Sequence, residues 1–114
     1  MPYCIVRVSP SLANQSWTPL FEALHGLLAQ YSKLEKCKSR LEVAPMTYLA
    51  EGDADRALLT LEIALLPRTP EVLKEIGDEA FRILQDYATP ILAEHKLRGD
   101  PTVELRILNH YWQA

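Results

Sequence analysis

The residues of this chain best suited to chemistry are a proline at position 2 and a small set of cations. If Met1 is removed, Pro2 becomes a secondary amine at the head of the apolar segment Tyr3-Cys4-Ile5-Val6-Arg7-Val8. An α-amino group titrates near ~8 in a short peptide. Burial and neighbouring cations both disfavour the ammonium and lower that value. A base poised near neutral pH suits proton transfer at a carbon next to a carbonyl. With Met1 attached, the same nitrogen is an amide and has no such chemistry. Lys38 and Arg40 lie two apart on an extended segment and therefore share a face. They repel unless a bound dianion, Glu42 or solvent lies between them. Arg68 stands just before Thr69-Pro70-Glu71, a helix start whose free N–H groups also favour anions.

Other reactive residue types are scattered. Cys4 and Cys37 lack CxxC spacing and read as buried, reduced thiols. His25, His95 and His110 form neither a triad nor a ligand set, so no metal is expected. His25 and His95 are placed on helix surfaces. Arg7 reads as a surface or intersubunit ion-pair partner. Tyr3, Tyr48, Tyr111 and Trp112 are read as packing residues, with Tyr48 and the C-terminal aromatics as alternative walls of a site across a subunit boundary.

The elements that must hold these residues follow from periodicity. Residues 2–8 predict a strand ended by Ser9-Pro10, and 11–16 a polar loop. Thr18-Pro19 predicts a capped helix start. Leu20, Leu24, Leu27, Leu28, Tyr31 and Leu34 continue it at helical spacing. Residues 37–47 predict a strand with Leu41 and Val43 on one face and Arg40 and Glu42 on the other, Pro45 marking an end, edge or bulge. Residues 51–55 are a turn by composition, and 57–66 a strand. Thr69-Pro70 then opens a second capped helix of nearly seven turns, kinked at Pro90. Arg98-Gly99-Asp100-Pro101 is a turn before a last alternating strand at Val103, Leu105 and Ile107.

The order describes a pseudo-repeat of two βαβ units, 2–47 and 57–109, in one domain spanning 1–114. The fold class is α+β: a four-stranded sheet with two long helices on one face, as right-handed crossovers require. Leu58 and Ala64 suggest a partly apolar second face, which invites oligomerisation. A hydrophobic fraction of 48% and a charged fraction of 24% are ordinary for a globular protein. No apolar run reaches bilayer-spanning length, and no leader-like segment is evident, so the cytoplasm is the expected location. A net charge of −3 argues against nucleic-acid or membrane partners.

Met1-Pro2 with its strand, Lys38-Ser39-Arg40 and Leu66-Pro67-Arg68-Thr69-Pro70-Glu71 together resemble the tautomerase superfamily. Within it the chain looks most like the 5-carboxymethyl-2-hydroxymuconate Δ-isomerase branch, over residues 2–109. Lys38-Ser39-Arg40 is similar to that branch's Arg-Ser-Arg. The resemblance implies a homotrimer with sheets inside and helices outside. It also implies a cofactor-free isomerase in which Pro2 moves a proton in an unsaturated 2-oxo mono- or dicarboxylic acid. Arg68 and either Lys38 or Arg40 would then bind the substrate's carboxylate. Two departures stand out: a lysine where the branch has an arginine, and a chain ending at Ala114, shorter than members of the branch usually run. The alternatives are a non-catalytic trimeric module that keeps Met1, or a binding and assembly protein.

Overall fold

The structure, a computed structural model, describes residues 2–44, 55–110 and 112. Strand β1 (Tyr3–Val8) leads through a short 3₁₀ turn (Pro10–Leu12) to helix α1 (Thr18–Leu28). A second 3₁₀ turn (Leu34–Lys36) precedes β2 (Lys38–Val43). The second half repeats the plan with β3 (Leu59–Leu65), α2 (Pro70–Glu94) and β4 (Thr102–Ile107). The sheet order is β2-β1-β3-β4. Each βαβ unit pairs its own strands in parallel, and the two units join antiparallel through β1 and β3.

The core lies between the sheet and both helices. Cys4, Val6 and Val8 from β1 and Leu59, Leu61, Ile63 and Leu65 from β3 meet Leu20, Leu24, Leu27 and Leu28 of α1. Helix α2 contributes Ile76, Ala80, Leu84, Ala88 and Leu92, a stripe of strict four-residue spacing. The Thr69 hydroxyl accepts from the Val72 amide at 3.3 Å, so this helix carries the expected cap. It runs through Pro90 to Glu94 without a break.

Helix α1 departs from expectation at both ends. Its N-cap is Trp17, and Thr18 is already helical. The Trp17 indole N–H donates to the Leu12 carbonyl at 3.1 Å, and its ring packs 5.7 Å from that of Tyr87. That burial draws the helix start back by one residue. At the other end the helix stops at Leu28 instead of Leu34: the Gln30 and Tyr31 amides bond three residues back, tightening the last turn and ending it. Leu34 is exposed. The polar loop predicted at 11–16 contains the end of the first 3₁₀ turn, with Leu12 fully buried.

The uncovered sheet face differs from expectation in one residue, Leu58. It is partly apolar, as expected, but most of its side chains are charged or polar. Tyr3, Ile5 and Ala64 lie on it, but Leu58 sits outside β3. Around them runs a chain of ion pairs: Arg40 Nε to Glu42 Oε2 at 2.7 Å, Arg7 Nε to Glu42 Oε1 at 2.9 Å, and Arg7 Nη1 to Glu62 Oε1 at 3.3 Å. Arg106 ends the chain 3.9 Å from Glu62 Oε2. No helix among the described residues is long and apolar enough to cross a membrane.

Candidate functional site

Sheet topology brings the candidate residues to one end of the molecule. Strand β2 is parallel to β1, so its first residue, Lys38, lies opposite Tyr3. Strand β3 is antiparallel to β1, so its last residues pass Tyr3 at Ala64 and lead on to Arg68. Three segments far apart in sequence thus converge at Pro2. Pro2 is buried, and its carbonyl accepts from the Lys38 amide at 3.1 Å.

The three cations differ in their surroundings. Arg68 is half-buried and turned onto the backbone. Its Nη1 donates to the Leu66 and Pro67 carbonyls at 3.3 and 3.1 Å, and its Nη2 to the Tyr31 carbonyl at 3.2 Å. Arg40 is tied to Glu42, and its guanidinium carbon lies 5.1 Å from the centre of the Tyr3 ring. Lys38 is exposed and its ammonium has no ion pair or hydrogen bond among the described residues. Lys38 and Arg40 do share the open face, and Glu42 is the anion that relieves their repulsion. The Arg40 and Arg7 guanidiniums hold the Glu42 carboxyl below its usual range.

Three roles were invisible to motif reading. Tyr31 supplies a carbonyl that grips Arg68, Tyr3 offers a ring to Arg40, and Glu62 anchors Arg7 across the sheet. The residue types carry no motif; the strand register brings them together. Arg7 is an ion-pair partner within the chain. Cys4 and Cys37 are reduced and buried. Burial pushes the Cys4 thiol up to about 12, aided by Cys37, and burial raises Cys37 too, so neither supplies a thiolate nucleophile at neutral pH. No metal-binding cluster occurs among the described residues. His95 caps the end of α2 beside Gln15. Met1, Pro45, Tyr48 and Tyr111 lie outside the described residues, while Trp112 is exposed.

No protein-family model matches the chain, and no curated protein matches its sequence. Solved structures do match its fold. A 5-carboxymethyl-2-hydroxymuconate delta-isomerase aligns over 100% of this chain and 87% of its own, with a TM-score of 0.86 and 15% identity. A 5-carboxymethyl-2-hydroxymuconate isomerase from Deinococcus radiodurans R1 aligns over 99% and 88%, with a TM-score of 0.86 and 20% identity. The chain has the tautomerase fold. A fused 4-OT wild-type symmetric trimer shares this tautomerase fold more distantly, over 93% of this chain and 85% of its own, with a TM-score of 0.68 and 18% identity. At such identities the likeness lies in the path of the backbone. The pseudo-repeat of two βαβ units on one sheet is the part of that path that gathers Pro2, Lys38 and Arg68.

Proposed function

We propose that the chain is a cofactor-independent isomerase that moves a proton in an unsaturated or enol-form 2-oxo acid, with Pro2 as the acid and base. The observation that carries this reading is the convergence of Pro2, Lys38 and the Arg68 segment at one end of a tautomerase-fold sheet. With Met1 removed, the prolyl nitrogen has a lone pair. It takes the proton from the substrate's enol oxygen, the electrons form the C2 carbonyl, and C3 receives a proton from the prolyl ammonium. Atoms and charge balance without a cofactor. The cations Lys38, Arg40 and Arg68 surround this end of the sheet, where positive charge stabilises a carboxylate and the developing enolate. The enzyme works as a cytoplasmic homotrimer.

The test is the intact mass of the untagged protein, followed by an enol-to-keto assay on phenylpyruvate with Pro2→Ala as control. Loss of Met1, turnover by the wild type, and a fall of at least about 10²-fold in Pro2→Ala are expected, the scale of a general acid–base contribution. Retained Met1, or mature protein with no turnover on a panel of 2-oxo acids, overturns the reading in favour of a non-catalytic module on the same fold.

A further inference from the structure

An isomerase of this kind must seat at least one carboxylate, and the state of its cations decides how many. Arg68 has three of its N–H donors on peptide carbonyls of Tyr31, Leu66 and Pro67. Those bonds tie the end of α1 to the corner between β3 and α2. Turning this guanidinium onto a ligand would strip donors from carbonyls that the fold has placed around it. Arg40 already has an anionic partner in Glu42, at 2.7 Å, and rests over the Tyr3 ring. Glu42 in turn is shared with Arg7. Withdrawing Arg40 would therefore disturb the ion-pair chain that crosses the sheet.

Lys38 is in the opposite condition. Its backbone N–H fixes the Pro2 carbonyl, its side chain is exposed, and its ammonium has no partner among the described residues. It begins a cross-strand row of Lys38, Tyr3, Ala64 and Arg106. Arg106, at the far end, is separated from Tyr3 by β3 and lies 3.9 Å from a Glu62 oxygen. Between the two cations the row offers only a half-buried Tyr3 and a buried Ala64.

We infer that Lys38 seats the substrate's carboxylate, that Arg40 and Arg68 are positioning residues, and that the site takes 2-oxo acids with a single carboxylate. This rests on the isomerase reading above. A lysine ammonium is a compact point charge with rotatable donors, suited to one carboxylate but without the guanidinium fork. The Tyr3 and Ala64 surface accepts a hydrocarbon or aromatic remainder. A second carboxylate placed there loses water, and the cation beside Ala64 on that row, Arg106, already faces Glu62, which opposes binding.

The experiment uses full-length protein whose loss of Met1 is verified by mass. Steady-state kinetics compare the enols of phenylpyruvate and 4-carboxyphenylpyruvate, which differ by one carboxylate. Calorimetry measures binding of phenylglyoxylate, a 2-oxo acid with no enolisable carbon. The wild type should favour the monoacid at least tenfold in kcat/KM. Lys38→Met should raise KM for the monoacid at least tenfold with kcat within threefold, and weaken phenylglyoxylate binding in parallel. Lys38→Arg should restore most of both. Arg68→Met should lower kcat while KM stays within threefold; a tenfold rise in KM there would make Arg68 the seat and overturn the assignment. Equal use of the two enols, preference for the diacid, or an unchanged KM in Lys38→Met also overturns it, and Pro2-dependent turnover would then leave the isomerase reading standing. No turnover with Lys38-dependent phenylglyoxylate binding would sink the isomerase reading yet uphold Lys38 as the seat. Neither turnover nor binding would sink both.

Discussion

Glu42 shows how one side chain can be structural and electrostatic at once. It accepts from Arg40 at 2.7 Å and from Arg7 at 2.9 Å, joining β2 to β1 on the open face. Those guanidiniums, Arg40 first, depress its folded-state pKa below the unfolded value. A depressed carboxylate contributes stability that is fully present above its unfolded pKa, about 4.3, and disappears as pH falls through the folded value. Glu42→Gln should therefore unfold at lower urea than the wild type at pH 7. The gap between the two midpoints should close as the pH falls below the ordinary glutamate range and the wild-type carboxyl becomes protonated as well. Urea titrations at four pH values would check this; a gap that widens in acid would assign the stabilising role to another group. The alternation that puts Arg40 and Glu42 on one face was legible in the sequence. Their link to Arg7 was not, because it depends on the Arg7–Glu42 register of β1 with β2.

The helices differ in how far local signals reach. In α2 every local preference agrees: the Thr69 hydroxyl caps the Val72 amide, Pro70 begins the helix, Glu71 lies in the first turn, and the apolar stripe keeps its period to Leu92. Such agreement makes an element readable from sequence. The same Thr-Pro pair at Thr18-Pro19 does not cap α1, because Trp17 is drawn into the core and takes the N-cap. Likewise Tyr31 continues the apolar phase, yet its carbonyl is turned to Arg68 from a distant part of the chain. No window on α1 alone contains that contact. Thr69→Ala should thus cost about 0.5–2 kcal/mol, the usual range for losing a helix N-cap. Thr18→Ala, which removes no cap, should cost less. Parallel denaturation of the two variants would check the difference, and equal losses would deny Thr69 its capping role. The candidate site is legible to the same extent: Pro2 and the cations stand out by residue type and position, whereas the separate commitments of Arg40 and Arg68 arise from tertiary contacts.

At the scale of the whole molecule, the proposed homotrimer requires a contact that closes a ring of these chains. The open face of the sheet is built of ion pairs around Ile5 and Ala64, two residues that the charged side chains already cover. A face of this kind tolerates water and gains little from being dried. The sheet's edges are different. Among the described residues, strands β2 and β4 each have one neighbour, and a strand edge with unpaired N–H and C=O groups is a template for another chain. A β2 edge meeting the β4 edge of the next copy is a heterologous contact, which closes into a ring when the rotation fits. A homotrimer assembled in this way keeps its charged faces towards a wet interior, and its cohesion comes from backbone pairing and the apolar side chains beside it. Salt separates the two possible origins of cohesion. Ionic strength of about 1 M shortens the screening length to roughly 3 Å, which weakens exposed ion pairs and leaves backbone pairing in place. Sedimentation velocity should accordingly give a particle of three 12.9 kDa chains in both low salt and 1 M NaCl. Glu62→Gln, which removes the central anion of the face, should remain in the same assembly. Dissociation by salt alone would place the cohesion in the ion pairs of the face, and a monomer under every condition would remove the trimer from the functional proposal.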